Sequence, residues 1–205
     1  MLLVAARGLR EVKRAETERR LASIAHDLVR ERGFTQVTVD DIAELAHVSR
    51  RTFSNYYSCK EEAVAAVILH AAEDGLTTWR PDPTGSLADL VRSLVRHQAE
   101  AGVLARLVEV AGLVAAHRQL APFVRDAQWH LWATAGERLP LRGDSPEPLR
   151  QAERDALLGA VFGVVSAQLA HTLPGTDAQG PHSDRLRHLV EHVIDRFEEP
   201  GRQGQ

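Results

Sequence analysis

Residues 38–57 read TVDDIAELAHVSRRTFSNYY, and the fold turns on them. They hold two very short helical patterns, one about Val39–Ala46 and one starting after Ser49, with room between for only a tight turn at His47. Thr38 is placed to cap the first, with Asp41 three residues on and Asp40 also in the positive first turn. Ser49 is placed to cap the second. On that second helix Phe53 and Tyr57 lie four apart and share one face, whereas Arg51 and Asn55 form another i,i+4 pair almost opposite them. One side is suited to packing and the other is offered outward. Arg50 and Ser54 flank the outward pair, and Thr52 with Tyr56 forms the adjoining stripe.

Arginine pairs in a bidentate manner with guanine edges and asparagine with adenine, while Ser, Thr, Tyr and Lys hold phosphates. The outward face therefore carries the residue types that reading a DNA groove requires. For Arg51 and Asn55 alone, an ordinary solvated helix face accounts for the pattern equally well. What favours DNA is the setting: basic residues Arg7, Arg10, Lys13 and Arg14 ahead of the helices, helix N-termini at Thr38 and Ser49, and Lys60 just beyond. The net charge of −3 hides an uneven distribution. Residues 1–60 hold 11 Lys+Arg against 8 Asp+Glu, a balance of +3; the remainder holds 14 against 20, or −6.

Outside the central stretch, apolar residues recur with helical spacing nearly everywhere, without strand alternation, a hairpin turn signal or an internal repeat. The pattern predicts an all-α fold of about nine helices. The first spans roughly Thr17 to Arg32 and stops at Gly33, a residue suited to a left-handed C-cap. The fourth follows Ser58, where Ser58-Cys-Lys-Glu61 has capping-box spacing. Further helices are expected near Glu61–Trp79, Leu87–Glu100, Val103–His117, Pro122–Leu139, Pro148–His171 and Ser183–Phe197. The resulting division is a flexible basic arm over 1–16, a helix-turn-helix domain over 17–60, a helical body over 61–198 and a disordered tail over 199–205.

With 44% hydrophobic residues, the chain can bury a sizeable core. No apolar run approaches the roughly 18 residues that span a bilayer; Leu104–Ala116 is broken by Arg106 and Glu109. Met1–Ala6 is too short for a signal-peptide core and its positive charges follow rather than precede it. A single cysteine, Cys59, allows neither an intrachain disulfide nor a multi-cysteine zinc site. These features predict a cytoplasmic protein with no membrane partner. No phosphate-binding or dinucleotide glycine motif and no nucleophile elbow is present, so neither an enzymatic activity nor a cofactor is expected. Two rival signals stand out. His188-Leu-Val-Glu-His192 matches the inverted zinc-peptidase pattern, but recognisable third ligands do not follow, and a helix rich in His and Glu yields the pattern by chance. Cys59, beside Lys60 in a helix's first turn, has the setting for a lowered pKa and a redox role, with an inert thiol as the plainer reading.

Residues 17–69, and most tightly 33–61 (GFTQVTVDDIAELAHVSRRTFSNYYSCKE), resemble the DNA-binding domain of the tetracycline-repressor (TetR) family, within it the subgroup with a Ser-Arg-Arg-Thr-Phe-x-Asn-Tyr recognition helix. The resemblance covers about the first third of the chain. It implies that Ser49, Arg50, Arg51, Thr52, Asn55 and Tyr56 face a palindromic double-stranded operator, with Thr38 and Lys60 on phosphates. It also implies that residues beyond about 60 bind a small effector and form a homodimer. Two positions depart from the family pattern: His47 stands where glycine is usual, at a turn that often requires positive φ, and Ser54 stands where tyrosine is common.

For the dimer, the last two helices are the best candidates. Leu186, Leu189, Val190, Val193, Ile194 and Phe197 form a broad apolar stripe, and Gly159 with Gly163 permits close approach of another helix. Ordinary intrachain packing is the competing account of the same residues. Pocket candidates are the large side chains Trp79, Phe123, Trp129, Trp132 and Phe162, with polar His97, Glu109, His130 and Gln168 nearby in sequence. An acyl thioester, a drug-like hydrophobe and a small aromatic acid all suit an apolar pocket, and a constitutive DNA-binding module without effector remains an alternative.

Overall fold

A computed structural model describes residues 8–171 and 182–198, with backbone alone for Leu9, 168–171, 182–186 and 198. The described residues form nine α-helices, α1 Leu9–Arg32, α2 Val39–Leu45, α3 Arg50–Ser54, α4 Lys60–Thr78, α5 Leu87–Glu100, α6 Val103–Ala116, α7 Ala121–Arg138, α8 Glu147–His171 and α9 His182–Glu198. Single 3-10 turns lie at Phe34–Gln36 and Arg118–Leu120, and no strand occurs among these residues. The all-α expectation holds. No helix among them is long and apolar enough to cross a membrane.

α4 is the spine. Its small and β-branched residues Ala63, Val64, Ala65, Val67, Ile68 and Ala72 are all buried, and it packs against α1 on the head side and against α6 and α7 in the body. A helix that is apolar nearly all round must be surrounded. One continuous apolar core thus runs from Leu21 and Phe53 through Ile68 to Leu107, Leu157 and Ile194. Gly75 marks a close approach: a Cβ there would sit 2.3 Å from Gln98 Oε1 on α5.

Two backbone positions carry information. α1 stops at Gly33 with φ 84° and ψ 147°, a positive-φ extended conformation open essentially to glycine alone rather than the left-handed cap expected. His47 has φ 53°. It closes α2 by donating from its N–H to Glu44 O at 3.0 Å, while Val48 N–H reaches Ala43 O at 2.9 Å, the paired bonds of a Schellman cap with histidine in the glycine position. His47→Gly is expected to preserve the fold and change unfolding free energy by less than about 1 kcal/mol, since relief of left-handed strain is offset by the extra freedom of the unfolded chain. Urea titration checks it; a larger loss would mean that the imidazole makes contacts of its own.

Two local expectations are corrected. Residues 9–16 are not a loose arm but the first turns of α1, and Thr17 is interior to that helix, its hydroxyl donating back to Lys13 O at 2.9 Å. At the next junction the N-cap is Cys59; Ser58 donates through both its N–H and hydroxyl to Glu62 at 2.6 Å, so Glu62, not Glu61, closes the box. The ends 1–7 and 199–205 lie outside the described residues.

Candidate nucleic-acid interface

α2 and α3 are held at their angle by caps and by one aromatic anchor. Thr38 Oγ1 accepts from Asp41 N–H at 3.2 Å while Thr38 N–H donates to the Asp41 carboxylate at 2.7 Å. Hydrogen bonds from the Thr38 side chain, then its backbone, hold the Asp41 carboxyl below the usual carboxylate value. The folded group is the stronger acid, so its contribution is complete at neutral pH and fades as pH falls through the depressed value. Thr38→Val is expected to weaken this acid-side dependence, read from melting temperature between pH 7 and pH 3; an unchanged profile would remove the cap from the account. Ser49 Oγ accepts from Thr52 N–H at 3.0 Å and meets Thr52 Oγ1 at 2.8 Å.

Below α3, Phe53 is 1% exposed and packs on Tyr57 with ring centroids 5.9 Å apart. Tyr57 hydroxyl donates to Glu18 O at 3.0 Å and lies 3.0 Å from His70 Nε2; burial, then the nearby Glu18 charge, pushes its phenol far above the ordinary value. Above α3, Arg51 and Asn55 are exposed. The two-faced reading of this helix is therefore what the structure has. Arg50 is exposed too, and its guanidinium meets Asp40 on α2 at 2.8 Å, so one of its edges is occupied by a neighbour.

The helical start of α1 adds something the sequence pattern did not separate from a flexible tail. Arg10, Lys13, Arg14 and Thr17 line one wall of an open groove whose other wall is Thr52, Asn55 and Tyr56. Arg14 lies over the Tyr56 ring, 5.9 Å from its centre, within cation–π range. Successive basic residues at helical spacing thus form a ridge beside the outward face of α3. A helical run would have been legible only without the Thr17 start signal.

Lys60 is placed differently from the phosphate contact expected of it. Its ammonium donates to Phe34 O and Val37 O, both at 2.7 Å, and sits 4.3 Å from the centre of the Phe34 ring. Phe34 also stacks on His117 with centroids 4.6 Å apart. The charge is engaged with backbone carbonyls of the 3-10 turn Phe34–Gln36 and of Val37, which caps it.

The remaining candidates divide. Trp132 and Phe162 line an apolar cavity of about 120 Å³ inside the body, with walls from α5 to α9. Trp79 is core, donating from Nε1 to Ser93 Oγ at 3.2 Å. His97 Nε2 meets Thr78 Oγ1 at 2.9 Å. Glu109 approaches the buried His26 Nε2 at 3.3 Å without hydrogen-bond alignment. Phe123 and His130 belong to a separate cleft with Tyr56 and Tyr57. Trp129 is 55% exposed and stacks on Trp132 at 4.8 Å. The Gln168 side chain lies outside the described residues. Sequence reasoning missed the cavity's buried polar pair, Gln98 and Gln128, because a lone glutamine on an apolar face carries no spacing signal.

Among dimer candidates, Val190 is 1% exposed and lines that cavity, so it belongs to the intrachain core. α9 is packed against α5 and α8, and the rest of its stripe is less deeply buried than Val190 and Ile194. Leu189 and Val193 are half-buried, Phe197 is 44% exposed, and Leu186 lies outside the described side chains. A Cβ at Gly159 or Gly163 would meet nothing within 4 Å.

The rival sites fare as follows. His188 is exposed and pairs with Glu191 at 3.8 Å; among the described residues no three His, Cys, Asp or Glu side chains converge on one point. Burial pushes the Cys59 thiol up, against the lowered value a redox role needs.

Comparison with known proteins bears on the head. Residues 22–67 match the family model for bacterial regulatory proteins of the tetR family. An HTH-type transcriptional regulator of Bacillus subtilis strain 168, YdeS, itself uncharacterised, is 40% identical over 75 residues, 37% of either chain. The putative mycofactocin biosynthesis transcriptional regulator MftR of Mycobacterium tuberculosis is 42% identical over 48 residues, 23% of this chain and 24% of that one. The chain thus matches about a third and about a quarter of the length of these curated relatives. A crystal structure of a TerR/AcrR-family transcriptional regulator from Aquifex aeolicus VF5 aligns over 88% of this chain and 99% of that one, with TM-score 0.49 and 12% identity.

Proposed function

Starting from a first third that carries the tetR-type helix-turn-helix, we propose that this chain is a transcriptional repressor which grips a palindromic operator as a homodimer and releases it when a small apolar effector enters the body. The observation that carries the DNA half is the division of α3, with Phe53 and Tyr57 buried and Arg51 and Asn55 exposed beside the ridge of Arg10, Lys13 and Arg14. Arg51 and Asn55 are assigned to base edges in the major groove, and Ser49, Arg50, Thr52 and Tyr56 to positioning contacts. Thr38 is assigned to a phosphate at the α2 N-terminus.

A single short helix makes few contacts, so affinity requires a second head related by a twofold axis. The outer faces of α8 and α9, with Gly159, Gly163, Leu189, Val193 and Phe197, are the surface assigned to that pairing. Release is assigned to α6. Its Val103, Leu104 and Leu107 line the cavity, while Glu109 meets His26 of α1 and His117, at its C-cap, stacks on Phe34. A ligand displaces DNA only to the extent that it binds the released arrangement better.

Arg51→Ala is expected to weaken operator binding by about 1–3 kcal/mol and relax sequence preference while leaving random duplex almost unaffected. Fluorescence anisotropy on both duplexes checks it, and equal losses would remove Arg51 from base reading. Replacing Arg10, Lys13 and Arg14 together by Ala is expected to lower the slope of log affinity against log salt by about 2–3, at roughly 0.9 for each phosphate no longer neutralised. An unchanged slope would leave the ridge off the duplex.

A further inference from the structure

Beside the residues assigned to DNA stands a carboxylate. Asp40 lies in the first turn of α2, and it accepts a hydrogen bond at 2.8 Å from Nη1 of Arg50, the first residue of α3. The pair bridges the two short helices across the turn that His47 closes. Both side chains face solvent, Arg50 with 68% and Asp40 with 65% of its area exposed. Among the described residues the guanidinium makes no second hydrogen bond, so the edge formed by Nε and Nη2 is open.

Stability does not account for Asp40. An ion pair this exposed contributes little to folding, because water screens the attraction and two side chains lose freedom. The cap of α2 is complete without it, since Thr38 and Asp41 fill the capping box between them. What its place in the positive first turn adds is small at an exposed position. Affinity does not account for it either. A carboxylate next to a duplex repels phosphates whatever the sequence, and it cancels part of the attraction that Arg50 supplies.

What the pair supplies is direction. An unheld arginine swings on several rotatable bonds, and its charge serves any phosphate within reach. With Nη1 tied to Asp40, the planar guanidinium presents its remaining edge along one line. Backbone contacts carry no sequence information themselves, but they fix the register in which base-reading side chains meet the groove. Arg51 follows Arg50 directly and Asn55 stands one turn beyond, at the C-cap of α3. An Arg50 contact made in one place only therefore aligns both with their bases.

We propose that Asp40 is a specificity-determining residue of the DNA interface: it touches no base, holds Arg50 to a single backbone contact, and lowers affinity for duplexes on which that contact falls out of register. The inference rests on the reading of α3 as the DNA-contacting helix, and it adds a positioning residue outside the set assigned to contact DNA.

The test uses the full chain, the duplex it enriches most from a random library, and a duplex of equal length with scrambled sequence, with binding followed by fluorescence anisotropy. Asp40→Ala is expected to bind the scrambled duplex about three-fold more tightly, since a repelling charge is gone, and to shrink the affinity ratio between the two duplexes about ten-fold. Its urea midpoint is expected to match that of the natural chain. In an Arg50→Ala background the same substitution is expected to change the ratio by less than about two-fold, because the group that Asp40 holds is absent. A purely structural role in α2 would act equally in both backgrounds. An unchanged ratio in Asp40→Ala, weaker binding of the scrambled duplex, or an equal fall with Arg50 already replaced would each overturn the proposal. Enrichment of no duplex by the natural chain sinks the DNA reading itself, whereas a preference that Asp40→Ala keeps in full sinks only the role of Asp40.

Discussion

Phe53→Ala is expected to destabilise the head by about 3–5 kcal/mol and to abolish operator binding without touching a single residue assigned to DNA. Phe53 is among the largest side chains buried completely, and it is the principal buried side chain of a helix only five residues long. So short a helix has almost no stability of its own. Its orientation is borrowed from the Phe53–Tyr57 pair and from the Ser49 cap. Removal of the ring leaves a void in a small domain that the surrounding side chains fill only in part. Urea unfolding read by circular dichroism gives the stability change, and anisotropy the DNA loss. Full operator binding by a destabilised Phe53→Ala would mean that α3 is oriented by something other than this anchor.

The second large effect concerns Lys60, and it reverses what the sequence pattern alone suggests. Lys60→Ala is expected to cost about 2–3 kcal/mol of stability, because two charge-assisted bonds at 2.7 Å to Phe34 O and Val37 O disappear together with the packing on the Phe34 ring. The salt slope of DNA binding is expected to stay the same, since an ammonium engaged with backbone carbonyls releases no counterion from a phosphate. Thermal unfolding and a salt titration of anisotropy together decide it. A stable variant with a slope lowered by about one would return Lys60 to the DNA surface.

Much of this architecture was legible from residues. The bounds expected for the helices from α4 onward fall within one or two residues of those observed, because the 80–85 stretch, Pro122 and the 143–148 stretch interrupt strong apolar periodicity. The two faces of α3 follow from i,i+4 spacing, and the positive φ at His47 from the resemblance to a family that usually has glycine at that turn. What stayed hidden depends on partners distant in sequence. Thr17 looks like a helix start, yet its hydroxyl bonds back to Lys13 within a continuing helix, an alternative that Ser and Thr always offer. Lys60 finds its carbonyls more than twenty residues upstream. The stripe on α9 was broad enough to serve both an inner and an outer contact, and only packing against α5 and α8 puts Val190 inside. The cavity draws on α5 through α9, so no local pattern announces it.

Selection of bound duplexes from a random library by the full chain tests the account most directly, because base reading, twofold symmetry and half-site spacing are scored at once. Enrichment of an inverted repeat whose half-sites lie a near-integral number of helical turns apart, lost when Arg51→Ala is selected in parallel, is the predicted result. Absence of enrichment, or an asymmetric single site that the Arg51→Ala variant recovers equally well, would contradict it.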